Sequence, residues 1–382
     1  MTAVPATPDP HVATPSGLSR ARALGIPFDG TAGPLNAITD VAGLEVGYVT
    51  LIAGEGPLRV GEGPVRTGVT AILPRGRAGA TDPVFAAIHA LNGCGEMTGA
   101  HWIAEAGLLE GPVVLTNTLS VGVARDGIVT WLSDRHPGWL DRSGRLAVAA
   151  ETNDSRLNDM AGFHVTRAHV AAALDGARSG AIEEGSVGGG TGMVCYGFKG
   201  GTGTASRLVR AAGARWRVGV LVQANFGRRA ELTVAGVPVG RLLGDRTDED
   251  PPDEGSIIVV VATDAPLLAG GLARLARRAG LGVGRSGSIA ANGSGDLFLA
   301  FSTANPGLEA RHGKRVQRAE FLPAGQMDPL FAAVIQATDE AILNALVANR
   351  TMRGRDDRVV EALPHDAVRV LLARHGRLEG GG

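Results

Sequence analysis

The pattern of apolar positions predicts both strands and helices along the whole chain. Runs rich in β-branched residues predict strands at residues 44–50, 66–74, 111–118, 216–225, 257–262 and 295–303. Apolar residues at helical spacing predict helices at residues 83–93, 166–178, 265–280, 328–349 and 366–376. The two kinds of element do not alternate strictly. The order therefore disfavours a doubly wound parallel sheet and favours a mixed or antiparallel layered α/β domain.

The chain is long enough for a sizeable core. It has 382 residues, 44% of them hydrophobic, which suits one large domain or two ordinary ones. The acidic segment 244–254 is the one clear break in composition, and it lies inside the predicted fold. The formal net charge of −1 and the aromatic content of 4% give no reason to expect nucleic acid or an anionic membrane as a partner.

Two cysteines, Cys94 and Cys195, form neither a disulfide framework nor a C-x-x-C pattern. From the sequence we expect no run long and apolar enough to span a bilayer. The first residues lack the basic and apolar regions of a secretory signal. We therefore expect a soluble, cytoplasmic protein.

Familiar short motifs do not account for the chemistry. The sequence "GVGRSG" at 282–287 has a predicted helix before it, where a dinucleotide site needs a strand. The sequence "GGGTG" at 188–192 has no following G-K-[ST]. The nine histidines are scattered, and neither H-E-x-x-H nor G-x-S-x-G occurs. The sequence thus lacks the usual signs of a phosphate cradle, a zinc site or a Ser-His-Asp triad.

Polar residues at predicted strand ends are the remaining candidates. Gly255 and Ser256 stand between an acidic loop with two prolines and a strongly β-forming run. Ser294 and Asp296 are two residues apart at the start of a strand, so their side chains point the same way and can form a hydrogen-bonded relay. Asn225 ends a strand, where its amide could donate to an oxyanion. Ordinary turn and capping roles remain open for all of these residues.

Long blocks of the sequence resemble one family. "EEGSVGGGTGMVCYGFKGGTGTASR", "VGVLVQANFG", "GSIIVVVATDAPL" and "NGSGDLFLAFSTAN" are similar, in this order, to the L-aminopeptidase/D-esterase and β-peptidyl aminopeptidase family. "LNAITDVAGLEVGYVT" followed by "TGVTAILPRG" resembles that family's N-terminal pattern. The likeness extends from about residue 35 to about residue 350. Several long blocks in the right order are more specific than any short motif.

The resemblance implies a self-cleaving hydrolase that releases N-terminal amino acids from peptides, amides or esters. It implies a four-layer α/β/β/α sandwich, a single domain split by autoproteolysis into two chains. On this basis, residues 1–34 are expected to be a partly disordered tail, residues 35–255 the larger chain, and residues 256–382 the smaller chain of the same domain. It also implies a homo-oligomer of processed heterodimers and no cofactor or metal.

Site residues follow from the same resemblance, position by position. The junction between Gly255 and Ser256 matches the cleavage site, and Ser256 matches the nucleophile. Ser294 and Asp296 match the family's serine–acid pair, and Asn225 matches the oxyanion-hole amide. The chemistry is self-consistent, because a serine at a chain terminus carries its own base: an α-amine has a pKa of about 7.7–8.0.

Two further positions concern the substrate. Glu151 matches the carboxylate that holds the ammonium group of a substrate with a free amino terminus. The family commonly has a tyrosine two residues later, where this chain has Asn153. This departure puts in doubt the share that the tyrosine takes in transition-state stabilisation.

Two alternatives stay open. Ornithine acetyltransferases and amide-oligomer hydrolases share the self-processing architecture, but they typically use threonine where this chain has Ser256. An unprocessed, non-catalytic oligomeric binding protein is the other alternative. The state of the purified chain, cut or intact, separates the two classes.

Overall fold

The computed structural model describes residues 8–142, 146–244, 255–308 and 314–378. Fourteen strands are present in these residues: β1 Glu45–Ala53, β2 Val65–Leu73, β3 Val84–Gly93, β4 Leu108–Leu109, β5 Val113–Asn117, β6 Val148–Thr152, β7 Val194–Cys195, β8 Phe198–Lys199, β9 Gly201–Ala211, β10 Ala214–Asn225, β11 Ser256–Thr263, β12 Gly295–Ser302, β13 Met352–Arg353 and β14 Val359–Val360. The α-helices of the same residues are α1 Ala100–Ala106, α2 Val121–Arg135, α3 Trp139–Arg142, α4 Arg167–Asp175, α5 Val239–Leu242, α6 Ala269–Arg285, α7 Asp328–Val347 and α8 His365–Arg374.

Two larger sheets organise the fold. One has the strand order β1-β2-β5-β6, and the other has the order β4-β3-β12-β11-β10-β9. β5 and β6 are parallel, as are β11 and β12, whereas the other neighbours in these two sheets are antiparallel. The chain therefore has a mixed α/β fold, in agreement with the prediction from its element order.

Strand β11 packs against the other sheet with one face and against helices with the other. Its residues are all buried. Ile258, Val260 and Ala262 belong to an apolar cluster that also contains residues of β5 and β6, in the other sheet. Ile257 and Val259 alternate with them and belong to a cluster that contains residues of α6 and α7. A third cluster joins the four-stranded sheet to α2 and α4. Period-two alternation thus directs each face of a strand to a different apolar layer.

The helix predicted at residues 83–93 is wrong, because this segment is strand β3. Val84 and Ala86 face the cluster between the sheets, whereas Phe85 and Ala87 face the helices. Apolar residues on both faces hide the alternation that identifies a strand. The other predicted strands and helices are present with shifted ends.

Helix α7 is the longest helix of the described residues. By length and composition alone it could cross a membrane, so our statement that no run is long and apolar enough does not hold for residues 328–347. Most of the helix is buried within the protein, where it packs on β9, β10 and α6. A core helix of this kind passes the same test of length and apolarity.

The segment predicted as a tail over residues 1–34 is packed from residue 8 onward. Ala21, Leu24 and Ile26 are buried in the helix-facing core. Arg20 is buried and forms an ion pair with Glu184, with 2.5 Å between Nε and Oε2. Residues 8–34 are therefore part of the fold, and residues 1–7 lie outside the described residues.

Candidate active site

Three strand ends of the six-stranded sheet meet at Ser256. Ser256 is the first residue of β11 and pairs with Asn225, the last residue of antiparallel β10. On its other side it pairs with Gly295, the first residue of parallel β12. Sheet register therefore brings together segments that are far apart in sequence, and it aligns the predicted nucleophile with the predicted oxyanion amide.

The junction before Ser256 is closely packed. The carbonyl oxygen of Gly255 accepts a hydrogen bond from the backbone N–H of Gly295, with 3.1 Å between N and O. A Cβ atom on Gly255 would lie 2.8 Å from the Cα atom of Phe226 and 3.0 Å from the carbonyl oxygen of Asn225. Because both obstacles are nearby main-chain atoms, only glycine fits here without a shift. The acidic loop that precedes the junction, residues 245–254, lies outside the described residues.

The hydroxyl of Ser256 is nearly enclosed. The residue is 3% exposed. Its side chain makes no hydrogen bond with any residue that the structure describes, although Asn225 is its direct partner on β10. A serine hydroxyl without a fixed partner keeps its lone pairs available for attack on a nearby carbonyl.

The amide of Asn225 has a defined orientation. Its Oδ1 atom accepts a hydrogen bond from the backbone N–H of Val194 at 2.8 Å. A backbone N–H can only donate, so this contact places the oxygen toward Val194 and leaves the NH₂ group on the other side. The NH₂ group makes no hydrogen bond with a described residue, and Asn225 is 5% exposed. It is therefore a nearly buried donor that is available for an oxyanion.

Ser294 and Asp296 form a close pair beside the junction. The hydroxyl of Ser294 donates to Oδ1 of Asp296 at 2.6 Å. The other carboxylate oxygen, Oδ2, is buried and makes no hydrogen bond within the described part of the chain. Burial raises the pKa of Asp296, and the hydrogen bond from Ser294 partly opposes this shift.

The Ser294–Asp296 pair and the Ser256 side chain belong to opposite faces of the six-stranded sheet. Alternation along β12 puts Asp296 on the side of Phe298, toward the helices, whereas Ser256 is in step with Ile258, toward the other sheet. No hydrogen bond between the pair and Ser256 occurs among the described residues. The structure therefore places the pair near the main chain of the junction and on the face opposite to the hydroxyl.

Glu151 comes from the other sheet, near the end of β6. Its Oε1 atom accepts a hydrogen bond from the backbone N–H of Glu96 at 3.0 Å, and its Oε2 atom accepts one from the hydroxyl of Thr118. The residue is 4% exposed, and burial raises the pKa of its carboxyl group. The two donors oppose that shift, so they favour the ionised form. A carboxylate held in this way suits a small cation such as an ammonium group.

Glycines bring Glu151 close to the junction. A Cβ atom on Gly95 would lie 3.3 Å from Oε1 of Glu151 and 3.2 Å from the Cα atom of Gly295. Gly295 is the strand partner of Ser256. The Gly95 residue alone thus separates the Glu151 carboxylate from Gly295, the neighbour of the predicted nucleophile.

Asn153 makes no hydrogen bond with Glu151, Asn225 or Ser256 among the described residues. Its Oδ1 atom accepts a hydrogen bond from the backbone N–H of Ser155 at 2.9 Å, which makes it a local turn residue. This is the ordinary role that the sequence left open for such residues. Its NH₂ group is not used in that turn.

Sequence reasoning missed several residues of this site. Thr118, Val194, Gly95 and Gly295 act through register and close packing, which no short motif records. Thr118 follows β5, which runs parallel to β6, so the carboxyl ends of the two strands meet at one edge; this pairing is not visible in the sequence. No group of three or more His, Cys, Asp or Glu side chains suited to a metal occurs within the residues that the structure describes.

The chain is similar to known proteins over most of its length. The model of peptidase family S58 matches residues 36–360. A β-peptidyl aminopeptidase of Sphingosinicella microcystinivorans is 50% identical over 375 residues, which cover 94% of this chain and 93% of that protein. The solved structure of an L-aminopeptidase D-Ala-esterase/amidase from Ochrobactrum anthropi, described as a variant of the Ntn hydrolase fold, has a TM-score of 0.88.

The Ochrobactrum protein is 47% identical to this chain, and the match covers 94% of this chain and 99% of that one. The solved structure of the PH0078 protein of Pyrococcus horikoshii has a TM-score of 0.89 at 44% identity, over 94% of this chain and 100% of that one. Both solved structures thus have the same mixed α/β fold over nearly the whole chain. The chain belongs to peptidase family S58.

Proposed function

We propose that this protein is a self-cleaving aminopeptidase that also acts on amides and esters, with Ser256 as an N-terminal nucleophile. One observation carries the proposal. Ser256 begins a strand between Asn225 and Gly295, directly after a glycine whose carbonyl is already hydrogen-bonded. Membership of peptidase family S58 supports the assignment, since relatives in this family are named aminopeptidases.

Self-cleavage is proposed to begin at the Gly255 carbonyl. The hydroxyl oxygen of Ser256 attacks the carbonyl carbon, and the hydroxyl proton passes to the Ser256 nitrogen as the C–N bond breaks. The product is an ester between Gly255 and Ser256 Oγ, which water hydrolyses to a Gly255 carboxylate and a free Ser256 amine and hydroxyl. The N–H of Gly295 supports this step, because it points at the oxygen on which negative charge develops.

Turnover is proposed to reuse the same serine. The freed α-amine has an ordinary pKa of about 7.7–8.0, so it accepts the hydroxyl proton near neutral pH. The oxygen attacks the substrate carbonyl, and the NH₂ group of Asn225 donates to the resulting oxyanion. Ser294 and Asp296 lie on the opposite face, near the main chain of the junction. We assign them to proton movement at the Ser256 nitrogen, both as the C–N bond breaks in self-cleavage and at the freed amine, since Asp296 has a buried oxygen without a partner among the described residues.

The proposed substrates carry a free amino terminus. Glu151 lies next to Gly95 and Gly295, so its carboxylate is in position to hold an ammonium group beside the reacting carbonyl. The Sphingosinicella relative is named for β-peptides, and the Ochrobactrum relative for L-amino acid and D-alanine substrates. We propose the class that these share, which is a peptide, amide or ester with a primary amine near the scissile bond.

The proposed processed protein has two chains in one domain. Three apolar clusters support a four-layer α/β/β/α arrangement: one lies between the two sheets, and each of the others joins a sheet to helices. Cleavage before Ser256 gives residues 1–255 and 256–382, and both chains contribute strands to the six-stranded sheet. We propose that these heterodimers assemble into a homo-oligomer.

Intact mass spectrometry with N-terminal sequencing tests the proposal. The 39.0 kDa chain is expected to appear as two chains that stay together in native conditions, with the smaller one beginning Ser-Ile-Ile-Val. Ser256→Ala is expected to remain intact and inactive toward amino-acid amides. Ser302→Ala is a matched control, because Ser302 ends β12 on the same sheet and donates to the carbonyl of Ala265. An active wild-type enzyme that remains one intact chain would overturn the mechanism, and an intact inactive chain would favour a binding protein.

A further inference from the structure

A small hairpin reaches from the core to Asn225. β7 and β8 pair through Val194 and Lys199 and through Cys195 and Phe198. Lys199 is completely buried. Its ammonium donates to the carbonyl oxygens of Met193 and Gly200, each at 2.8 Å. Met193 precedes β7 and Gly200 follows β8, so the lysine ties together the two ends of the hairpin.

One peptide group links the lysine to the oxyanion amide. The carbonyl oxygen of Met193 accepts hydrogen bonds from Lys199 Nζ and from the backbone N–H of Gly200, the latter at 3.0 Å. The N–H of the same peptide belongs to Val194, and it donates to Asn225 Oδ1. A cation on the carbonyl side polarises the peptide and strengthens its N–H as a donor. The hydrogen bonds thus run from the ammonium through one peptide to Asn225.

Burial of the Lys199 ammonium carries a desolvation cost in free energy. No ion pair with a carboxylate is made by Lys199 within the described ranges, and burial lowers the pKa of its ammonium to about 7, against weaker opposing effects of Cys195 and Asp154. An apolar side chain of similar length would avoid the desolvation cost. The presence of a lysine at this position therefore indicates a role other than packing.

We propose that Lys199 is a positioning residue that orients the Asn225 amide through the Met193–Val194 peptide. The inference rests on the proposed function and deepens it, because it explains what fixes the oxyanion donor. Without Lys199, the peptide keeps the Gly200 bond on its carbonyl but loses the charged one. The Asn225 amide then becomes less well held, and transition-state stabilisation falls while substrate binding does not.

The hairpin has a second attachment that does not involve Lys199. The backbone N–H of Tyr196 donates to the carbonyl of Phe226 at 2.8 Å, and the two rings pack edge to face with centroids 5.1 Å apart. Arg229 lies over the ring of Phe198, 3.8 Å from its centroid, and donates to the carbonyl of Gly197 at 3.0 Å. Arg229→Met therefore perturbs the tip of the same hairpin without touching the Met193–Val194 peptide, and it serves as the matched control.

Steady-state kinetics on an amino-acid p-nitroanilide, per mole of processed chain, test the inference. Wild type is measured first: if it is inactive, the proposed function fails, independently of Lys199. In an active enzyme, Lys199→Met is expected to lower kcat about 10- to 100-fold, below the 10²- to 10³-fold typical for loss of the whole donor. KM is expected to stay within about threefold, since ground-state binding is spared. Arg229→Met is expected to leave kcat within about threefold.

A double-mutant cycle separates positioning from a structural role. In an Asn225→Ala background, Lys199→Met is expected to lower kcat by less than about twofold, because it acts through the missing amide. If Lys199→Met does not fold, Lys199→Gln carries the test with a smaller loss and the same non-additivity. Unchanged kcat, an additive loss in the Asn225→Ala background, or an equal loss in Arg229→Met would overturn the inference.

Discussion

Glu151→Gln is the sharpest test of how the substrate is recognised. The Glu96 N–H and the Thr118 hydroxyl hold the two carboxylate oxygens. A glutamine keeps the first contact through its carbonyl oxygen, and the hydroxyl can rotate to accept from its NH₂ group. The substitution therefore removes the negative charge while the surrounding structure is kept. Loss of one partner of a desolvated charge pair costs about 2–5 kcal/mol. We expect kcat/KM for free-amine amides to fall about 30-fold to several thousand-fold.

The pH dependence of KM in the wild-type enzyme tests the same role of Glu151, because the direction of the change can be predicted. Burial raises the pKa of Glu151 above its ordinary value of 4.5, so the carboxyl becomes ionised only at a higher pH. KM for a free-amine substrate is then expected to fall as pH rises through this raised pKa, and Glu151→Gln should lack that change. In the same interval the native state binds more protons than the unfolded state, so this group's contribution to the free energy of unfolding decreases as pH rises.

Glu96→Gln is the control for Glu151→Gln. It also removes one negative charge next to Glu151, but Glu96 contacts Glu151 through its backbone N–H, which the substitution leaves in place. Its kcat/KM is expected to remain within about threefold of wild type. Equal losses in the two variants, or a Glu151→Gln enzyme with near-normal kcat/KM, would refute the assignment of Glu151 to the ammonium group.

Two further substitutions probe the junction itself. Asn225→Ala is expected to lower kcat about 10²- to 10³-fold with little change in KM, because the amide is proposed to act only on the transition state. Near-normal kcat in correctly processed protein would remove Asn225 from the mechanism. Asp296→Asn replaces the acceptor of the 2.6 Å hydrogen bond from Ser294, and it should slow self-cleavage about 10- to 100-fold, the scale of a hydrogen bond to a charged group. A time course of intact mass measures this rate, and a wild-type rate would contradict the role.

Most of the elements could be predicted because β-branched runs mark strands such as β11 and helical spacing marks helices such as α6. The exceptions have a physical cause. Strand β3 has apolar side chains on both faces, since it lies between the helices and the second sheet, and its sequence looks like a buried helix. Strand β9 was not separated from a glycine-rich stretch, although it is fully hydrogen-bonded to β10. A Cβ atom on its Gly203 would lie 2.0 Å from the carbonyl oxygen of Ala341 in α7, so close packing of the helix on the strand requires glycine there.

The sequence was sufficient to name candidate side chains of the site, but not to predict how they are arranged relative to one another. Asn225 and Ser256 were recognisable from long blocks of resemblance, and the structure makes them direct partners in the sheet. The alternation of side chains along a strand was enough to predict the contact between Ser294 and Asp296, which the structure contains. It did not reveal that this pair lies on the other face from the Ser256 hydroxyl, because that depends on the register between β11 and β12. Register is set by pairing across long sequence separations, and a single sequence does not record it.

Close packing of main chains explains the glycines at the site. A side chain on Gly255 would meet the main chain of Asn225 and Phe226, and one on Gly295 would lie 2.4 Å from the carbonyl oxygen of Cys94. Gly95 fills the narrow space between Gly295 and Glu151. Without Gly95 and Gly295 the loop after β3 could not lie against the start of β12. The carboxylate from one sheet would then move away from the serine in the other. The short distance between the proposed ammonium site at Glu151 and the proposed nucleophile Ser256 is therefore a consequence of main-chain contact. We expect it to favour substrates whose amine is close to the bond that is cut.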